Sequence, residues 1–424
     1  MLTSTPSSPE EARDRLRVEA TRPLRDAELP RVSIVILNWN GKHHLGPCFQ
    51  TLKDLDYPDD AYEVVLVDNG SDDGSQQAVR SEHGWVRLVE NARNVGFAAG
   101  CNQGARAAVE GDRPAEVLVF LNNDMHVDAG FLRALVAPIV RGECAATTAK
   151  MYSWDGSVLN SAGGGMNFHG FGIQRGYLQP PADVYDEPRK TLFACGGAMA
   201  MEREAYFDVG GFDDDFFAYY EDVDLGWRTW VLGHEIRYVP ASVCYHHHSS
   251  TSRRVPAERL RLLQVRNPQL ACFKNYGDEE LRRVLPAMLA LGLRRAVSGL
   301  DLVDPDSYRI EGMSTLPAEG IGSSFLRKFR KVRPEQEPIP KTAVADLLAM
   351  NDLIGNWDHW MARREAVQSR RARPDDEILP LFLRPQWCIE GDPAYGELQR
   401  GLESFLGIDR MFEGLTTLEE DPPS

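Results

Sequence analysis

A chain of 424 residues is long enough for one large domain with a smaller companion, or for two domains. With 43% hydrophobic and 26% charged residues it has the composition of a soluble globular protein, and its net charge of −16 speaks against general nucleic-acid binding through phosphate neutralisation. That charge still leaves room for a local basic patch facing an anionic substrate.

Residues 1–30 are polar and charged and read as a loosely ordered extension without the apolar core of a signal peptide. "RVSIVILNW" then predicts a strand, "HHLGPCFQTLKDL" a short helix, and "YEVVLVDNGSDDGS" a second strand ending in an Asp/Asn/Gly/Ser turn. "QQAVRSEHG" is helical, "VRLVENARNVGFAAGCNQGARAAVEG" reads as strand, loop and helix, and "AEVLVFLNND" is a third clear strand. Near-continuous apolar strands alternating with helices predict a mostly parallel sheet with helices on both faces. Residues 151–200 carry a Gly-rich loop of unassigned shape, "SAGGGMNFHGFG". Residues 255–303 read as two helices, 303–340 as a Pro/Gly/Ser-rich linker, and 341–370 and 393–407 as further helices. The expected layout is an extension (1–30), a catalytic α/β domain (31–255) and an α-helical C-terminal region (256–424).

The seven cysteines, at 48, 101, 144, 195, 244, 272 and 388, are odd in number, widely spaced and without a CxxC pair. They predict reduced thiols and a cytoplasmic setting, not a disulfide framework or a structural zinc site. No window approaches about 18 uninterrupted apolar residues, so no membrane span is expected. The longest apolar run, "VLPAMLALGL" at 284–293, is flanked by arginines and reads as a buried or interfacial helix.

Polar residues crowd the carboxyl end of successive strands: Asn38 and Asn40, then Asp68 and Asn69, then Asn122, Asn123 and Asp124. Ligands of open α/β sheets bind along that edge. Asn and Asp also simply make turns, but three strands in succession favour a site. In "FLNNDMHVD", Asn122 and Asp124 are two residues apart in an extended segment and can face the same way, a pattern suited to a hard divalent cation and substrate phosphates. Asp68 can accept from a ribose hydroxyl or a base N–H, or it can stabilise the turn. Gly96, Gly100 and Gly104 allow a backbone approach to phosphate, or close packing of a helix on the sheet.

"FFAYYEDVDLGWR" sets Glu221, Asp222 and Asp224 among five aromatic residues. Apolar residues at 223, 227, 230 and 231 predict a helix that begins at the acids and stops at Gly233. The helix dipole and capping explain one or two acids there. An acid beside aromatic surfaces is also what a general base for a sugar hydroxyl needs. Three adjacent histidines in "CYHHHSSTSRR" offer imidazole to a metal or to local hydrogen bonds, and adjacent ones in an extended chain point to opposite faces.

Taken together, "VSIVILNWNG", "VLVDNGSDDGS", "NVGFAAGCNQG", "LNNDMHVD", "GGAMAMERE", "GGFDDDFFAYYEDVDLGWR" and "HHHSSTS" resemble the family 2 inverting glycosyltransferases, over roughly residues 31–255. The branch they are most similar to is the rhamnosyltransferase-like one, whose metal motif is Asn-Asn-Asp. The resemblance implies a GT-A fold, the nucleotide-diphospho-sugar transferase fold, and transfer from a dTDP- or UDP-linked sugar to a hydroxyl of a glycan or lipid-linked acceptor in cell-surface polysaccharide synthesis. It implies Asp222 as catalytic base and donor contacts at Asn38, Asn40, Asp68, Asn94, Gly96, Asn122 and Asn123. It also implies an acceptor pocket around Gly197, Glu221, Asp224 and Trp227, with Glu221 and Asp224 either shaping that pocket or fixing the helix. The implied cofactor is Mg²⁺ or Mn²⁺, held by Asp124 with His246 or, as second choice, His248. Asn122, in place of the first acid of the usual Asp-x-Asp, lowers the charge at the cation.

Two other readings stand beside this one. A non-catalytic scaffold of a polysaccharide assembly complex would use the same fold. A sugar nucleotidyltransferase would need a basic Gly-rich segment after the first strand, where "NWNGKHHLG" has one Lys. The basic clusters "LRKFRKVR" (326–333) and "ARREAVQSRRAR" (362–373) suit solvated helix faces, or peripheral contact with anionic lipid at the inner membrane face. A homo-oligomer is compatible with all of these readings.

Overall fold

The computed structural model describes residues 24–247, 255–299 and 344–418. His248, the segment 303–340 with its 326–333 basic cluster, and most of the N-terminal extension lie outside the described residues.

The first part of the chain alternates as the sequence pattern predicts: β1 (Val32–Asn38), α1 (Lys42–Lys53), β2 (Tyr62–Asp68), α2 (Ser75–Glu82), β3 (Arg87–Glu90), α3 (Phe97–Val109) and β4 (Val117–Asn122). There follow β5 (Met125–Val127), α4 (Phe131–Val140), β6 (Ala146–Ser153), β7 (Leu159–Ser161), β8 (Gly164–Met166) and β9 (Gly172–Gln174). Then come β10 (Arg189–Lys190), β11 (Ala198–Glu202), α5 (Arg203–Asp208), α6 (Glu221–Val231) and β12 (Ile236–His246). The rest is helical: α7 (Ala257–Asn275), α8 (Asp278–Gly299), α9 (Ala345–Gly355), α10 (Trp357–Gln368), α11 (Asp375–Ile378), α12 (Pro393–Leu406) and α13 (Ile408–Met411). The Gly-rich stretch around 160–175 is not a plain loop: β7 joins the main sheet and β8 pairs with β9 as a separate ribbon.

The main sheet has ten strands, eight of them in the order β10-β12-β6-β11-β4-β1-β2-β3, with β5 beside β12 and β7 beside β6. It is mixed: β4, β1, β2 and β3 run parallel, as do β6 and β12, and β11 lies antiparallel between β4 and β6. Its central strands are apolar on both faces because both are covered. Ile34, Ile36, Val64, Leu66 and Val119 pack with Leu45 and Phe49 of α1 and with Leu132 and Leu135 of α4. Val35, Val67, Leu118 and Phe120 pack on the other side with Ala98, Cys101 and Ala105 of α3. Two of the spaced glycines serve this packing. A Cβ at Gly100 would stand 2.4 Å from Leu37 Cδ1, and one at Gly104 2.3 Å from Val35 Cγ1.

Register decides where the site forms. Asn38 pairs with Asp68 and Leu37 with Asn122, so the carboxyl ends of β1, β2 and β4 stop at one edge. On the far side of β11, His246 at the end of β12 pairs with Met125 of β5, which brings it beside Asp124.

The helical region shares this core. Trp227 of α6, 0% exposed, meets Tyr276 and Phe382 edge-on, with ring centroids 4.7 and 5.6 Å away. An ion cluster lies next to it. Asp224, 0% exposed, accepts from Arg228 Nε at 2.8 Å, Lys274 Nζ at 2.9 Å and Asn275 Nδ2 at 2.9 Å. Lys274 also pairs with Asp213, which Arg363 of α10 caps. Burial alone would raise the Asp213 pKa, but Lys274 and Arg363 hold it well below the usual carboxylate range. Asp224 therefore takes the second of its two expected roles, fixing the helix, and Trp227 corrects the acceptor-pocket expectation, because both point into the core.

Removing one member of a buried ion cluster strands the others. Asp224→Ala should cost about 3–5 kcal/mol, measured by urea denaturation, and the loss should shrink when Lys274→Met is added. A loss below about 1 kcal/mol would mean that the cluster behaves like a surface pair.

Candidate active site

A cleft of about 380 Å³ opens at this sheet edge, between the ends of β1, β4 and β12, the start of α3 and the segment before α6. Its floor is a web of amides. Asn38 donates from Nδ2 to Asp68 Oδ2 at 2.9 Å and accepts from Asn123 Nδ2 at 2.7 Å. Asp68 is 0% exposed and also accepts from Ser71 N–H and Gln76 Nε2, at 2.9 and 2.7 Å. Asn40 takes a left-handed φ of 55° and accepts from Asp72 N–H at 2.8 Å. Asn38, Asn40 and Asp68 thus brace the floor from beneath, whereas Asn122, Asn123 and Asp124 reach the cleft itself.

The amide of Asn69 organises the next wall. Its Nδ2 donates to Asn94 Oδ1 and to Gly96 O, both at 3.0 Å, and its Oδ1 accepts from Val95 N–H at 3.1 Å. Asn94 in turn accepts from Gly96 N–H at 2.9 Å. Gly96 has φ 95°, and a Cβ there would stand 2.6 Å from Phe217 O. Glycine is therefore required there by the neighbouring loop.

Opposite the amides, His246 Nε2 lies 3.3 Å from Asp124 Oδ1, and both line the cleft. His247 turns the other way, its ring 5.2 Å from His44 and 5.3 Å from Trp154, as alternation along a strand requires. No group of three or more metal-ligating side chains occurs among the described residues. One carboxylate oxygen beside one imidazole nitrogen nonetheless fits a divalent cation that completes its shell with phosphate oxygens and water.

The acids of the quoted aromatic stretch have three different surroundings. Asp224 is in the core. Asp222 borders the cleft, accepting from Gly196 N–H at 3.0 Å through Oδ2 and from Val223 N–H at 2.9 Å through Oδ1. Burial raises its pKa while those N–H groups lower it, and the balance is upward. Glu221 is 7% exposed and its Oε2 has no hydrogen-bond partner among the described residues. Burial first, then the neighbouring Asp222 charge, push its pKa up to about 8. The pair is a proton-holding carboxyl next to a carboxylate anchored by backbone donors.

The backbone just before them is strained. Phe217 (φ 62°, ψ −64°) is the centre of the rarer, strained kind of γ-turn, closed by Ala218 N–H donating to Phe216 O at 2.7 Å. Tyr219 and Tyr220 follow with φ of 69° and 65°. Bulky residues in these regions cost on the order of 1–3 kcal/mol each and persist only where the surroundings impose them.

Of the acceptor-pocket residues expected from sequence, Gly197 and Glu221 line the cleft. Sequence reasoning placed Tyr219 and Tyr220 among the aromatics around the acids and Asn69 at the polar edge, but missed Trp39 on the wall and Cys195–Gly196 beneath Asp222. The "CGG" before β11 was the available signal for the last pair. All seven cysteines are free thiols, and burial, followed by the Asp222 charge, pushes Cys195 up to about 12, so it offers no thiolate nucleophile near neutral pH.

The Glu221 surroundings set a pH dependence. The folded chain keeps this proton up to about 8, whereas an ordinary glutamate releases it near 4.5. Its contribution to stability is full below about 4.5 and is lost as pH rises towards about 8. Wild-type melting temperature should fall across that window, and Glu221→Gln should flatten the slope. An unchanged slope would show that Glu221 ionises freely in the folded chain.

The family model described as Glycosyl transferase family 2 matches residues 33–210, and one described as N-terminal domain of galactosyltransferase matches 183–250. An N-acetylglucosaminyl-diphospho-decaprenol L-rhamnosyltransferase of Mycobacterium tuberculosis is 31% identical over 215 residues, covering 46% of this chain and 70% of that protein. N-acetylgalactosaminyltransferase 6 of Drosophila melanogaster is 27% identical over 248 residues, covering 55% of this chain and 36% of that one. Among solved structures, GalNAc-T7 with UDP, GalNAc and Mn²⁺ superposes with a TM-score of 0.50 at 18% identity, over 78% of this chain and 58% of its own. These matches, with the mixed sheet and its helical C-terminal region, make the chain a GT-A-fold glycosyltransferase of family 2, of the rhamnosyltransferase-like type.

Proposed function

We propose that this glycosyltransferase moves a sugar from a nucleoside-diphosphate donor, dTDP- or UDP-linked, to a hydroxyl of a glycan or lipid-linked acceptor, with inversion at the anomeric carbon. The observation that carries the reading is that one cleft is bordered both by a candidate cation pair, Asp124 and His246, and by a carboxylate held by backbone N–H groups, Asp222. The names of the relatives agree with it: one is a rhamnosyltransferase named for a diphospho-decaprenol compound, and a structural neighbour is described with UDP, GalNAc and Mn²⁺.

Each group has a task in this reading. Asp222 accepts the proton of the attacking hydroxyl, and the Gly196 and Val223 N–H groups favour its charged form against the burial that raises its pKa. Glu221 keeps its own proton, so that two adjacent negative charges do not face the incoming diphosphate. Asn94, Asn122 and Asn123 line the cleft with amides that meet the donor without adding charge, and Asn69 holds that wall in place. Asp124 and His246 would hold Mg²⁺ or Mn²⁺, which as a Lewis acid neutralises charge as the nucleoside diphosphate leaves. The anomeric carbon passes through an oxocarbenium-like state, and attack from the face opposite the leaving group needs no covalent enzyme intermediate. No described helix is long and apolar enough to cross a membrane, so a lipid-linked acceptor would be met at the membrane surface. Polysaccharide synthesis at the inner face of the membrane is the setting we infer, with residues 31–255 as the catalytic unit.

Two measurements test this. Asp222→Asn should keep nucleotide binding while transfer falls on the order of 10²–10⁴-fold, the usual worth of a positioned general base. Full transfer by that variant would remove Asp222 from the role. Separately, melting temperature should be followed with UDP, dTDP, GDP, CMP and ATP, each with and without Mn²⁺. One nucleoside diphosphate should raise it in a Mn²⁺-dependent way that Asp124→Ala abolishes. No shift with any of them would defeat the donor-site reading.

A further inference from the structure

The backbone from Phe216 to Tyr220 delivers Glu221 and Asp222 to the cleft with three bulky residues at positive φ: Phe217, Tyr219 and Tyr220. Local sequence gives no reason for this shape, since none of the three is glycine, asparagine or aspartate. Something outside the segment must impose it.

On one side the holder is the start of α3, where Phe97 and Ala98 N–H groups donate to Phe217 O at 2.6 and 3.2 Å. On the other side a single side chain gathers the remaining carbonyls. Asn267 of α7, 0% exposed, donates from Nδ2 to Phe216 O at 2.9 Å, Ala218 O at 3.0 Å and Tyr219 O at 2.7 Å. Its own orientation is fixed. Asn267 Oδ1 accepts from Arg266 Nη1 at 3.0 Å, so the amide cannot turn its oxygen towards the carbonyls. Arg266 is held in turn by Asp215 O at 2.9 Å and by Asp352 of α9 at 2.8 Å. Asn267 lies beyond both matched family segments, which end at 210 and 250.

We infer that Asn267 is a positioning residue for the transfer reaction: it clamps the strained Phe216–Tyr220 backbone and thereby aims Asp222 into the cleft. The inference rests on the glycosyltransfer reading above. It makes α7 part of the working site, although α7 contributes no side chain to the cleft wall among the described residues. An isosteric aspartate would set a carboxylate against the three carbonyls, and an isosteric leucine would remove the side-chain donor that they share.

The test compares Asn267→Asp and Asn267→Leu with Leu270→Ala, a fully buried core position on the same helix. Both Asn267 variants should lose kcat by 10-fold or more, with nucleotide affinity within about 3-fold of wild type, while Leu270→Ala lowers melting temperature and keeps kcat within 2-fold. Hydrogen exchange gives a readout that does not depend on turnover. Amides in 213–224 and at Phe97 and Ala98 should lose protection at least 10-fold in the Asn267 variants and not in Leu270→Ala. Unchanged kcat in the Asn267 variants, or kcat lost only in step with nucleotide binding, would overturn the positioning role. Unchanged exchange would overturn the clamp itself. If wild type transfers from no nucleotide sugar, the functional reading fails, and the exchange result still decides whether Asn267 holds the segment.

Discussion

Asp224 is the constraint on which the geometry of this site depends. It is a carboxylate without solvent exposure, two residues beyond the acid at the cleft, and it takes three donors from α6 and α7. Isolated, it would be too costly to bury; paired, it can exist only where Arg228, Lys274 and Asn275 converge. That condition fixes the rotation of α6 about its axis. With Asp224 turned inwards to the cluster and Trp227 stacked edge-on against Tyr276, Glu221 and Asp222 are left at the cleft end of the helix. Three acids in four positions thus have three fates: one in an ion cluster, one retaining its proton, one anchored by backbone N–H groups.

Much of this was legible in the sequence. The strands of the first half were readable because both faces are buried, so that "VSIVILN", "YEVVLVD" and "VLVFLN" are nearly continuous apolar runs. The polar residues closing those strands mark the sheet edge where the cleft lies. The start of α6 at Glu221 followed from apolar spacing, and His246 and His247 point apart as alternation requires. What the sequence left open was the assignment of individual polar side chains to the cleft or to its support. Asp68 looks like a donor contact, yet its oxygens are taken by Ser71, Gln76 and Asn38. Sequence shows that an acid ends a strand. It does not show which way its partners lie, because those partners come from a turn and a helix folded over it.

The helical third illustrates a second kind of illegibility. Its helices were predictable, but not their attachment. The core that contains Val35 and Phe120 of the sheet continues through Phe273, Trp360, Phe382 and Tyr395 without a break, so the sheet and the helices are stabilised together. Nothing in the local pattern of 257–275 announces that Lys274 and Asn275 complete an ion cluster around residue 224, or that Asn267 meets three carbonyls of residues 216–219. Such contacts span about fifty residues in sequence and exist only once α7 has docked.

Charge provides the last step of the argument. On the proposed reading, a chain at −16 receives a diphosphate in a cleft that already holds Asp124, Glu221 and Asp222. Three ionised carboxylates there would repel the donor, with little bulk water to screen them. The site reduces that repulsion by chemistry that is visible in its residues. Where a further acid could stand, it has amides: Asn69, Asn94, Asn122 and Asn123 are all neutral. Glu221 keeps its proton to about 8 because it is buried beside Asp222. Of the other two acids, Asp124 sits against an imidazole and Asp222 against backbone N–H groups. On the proposed reading a cation at Asp124 and His246 would neutralise most of what remains, leaving Asp222 as the one carboxylate able to take a proton. The Asn-Asn-Asp end of β4 then reads as part of this balance: with Glu221 neutral and a single acid at the cation, the cleft keeps one base and little surplus negative charge.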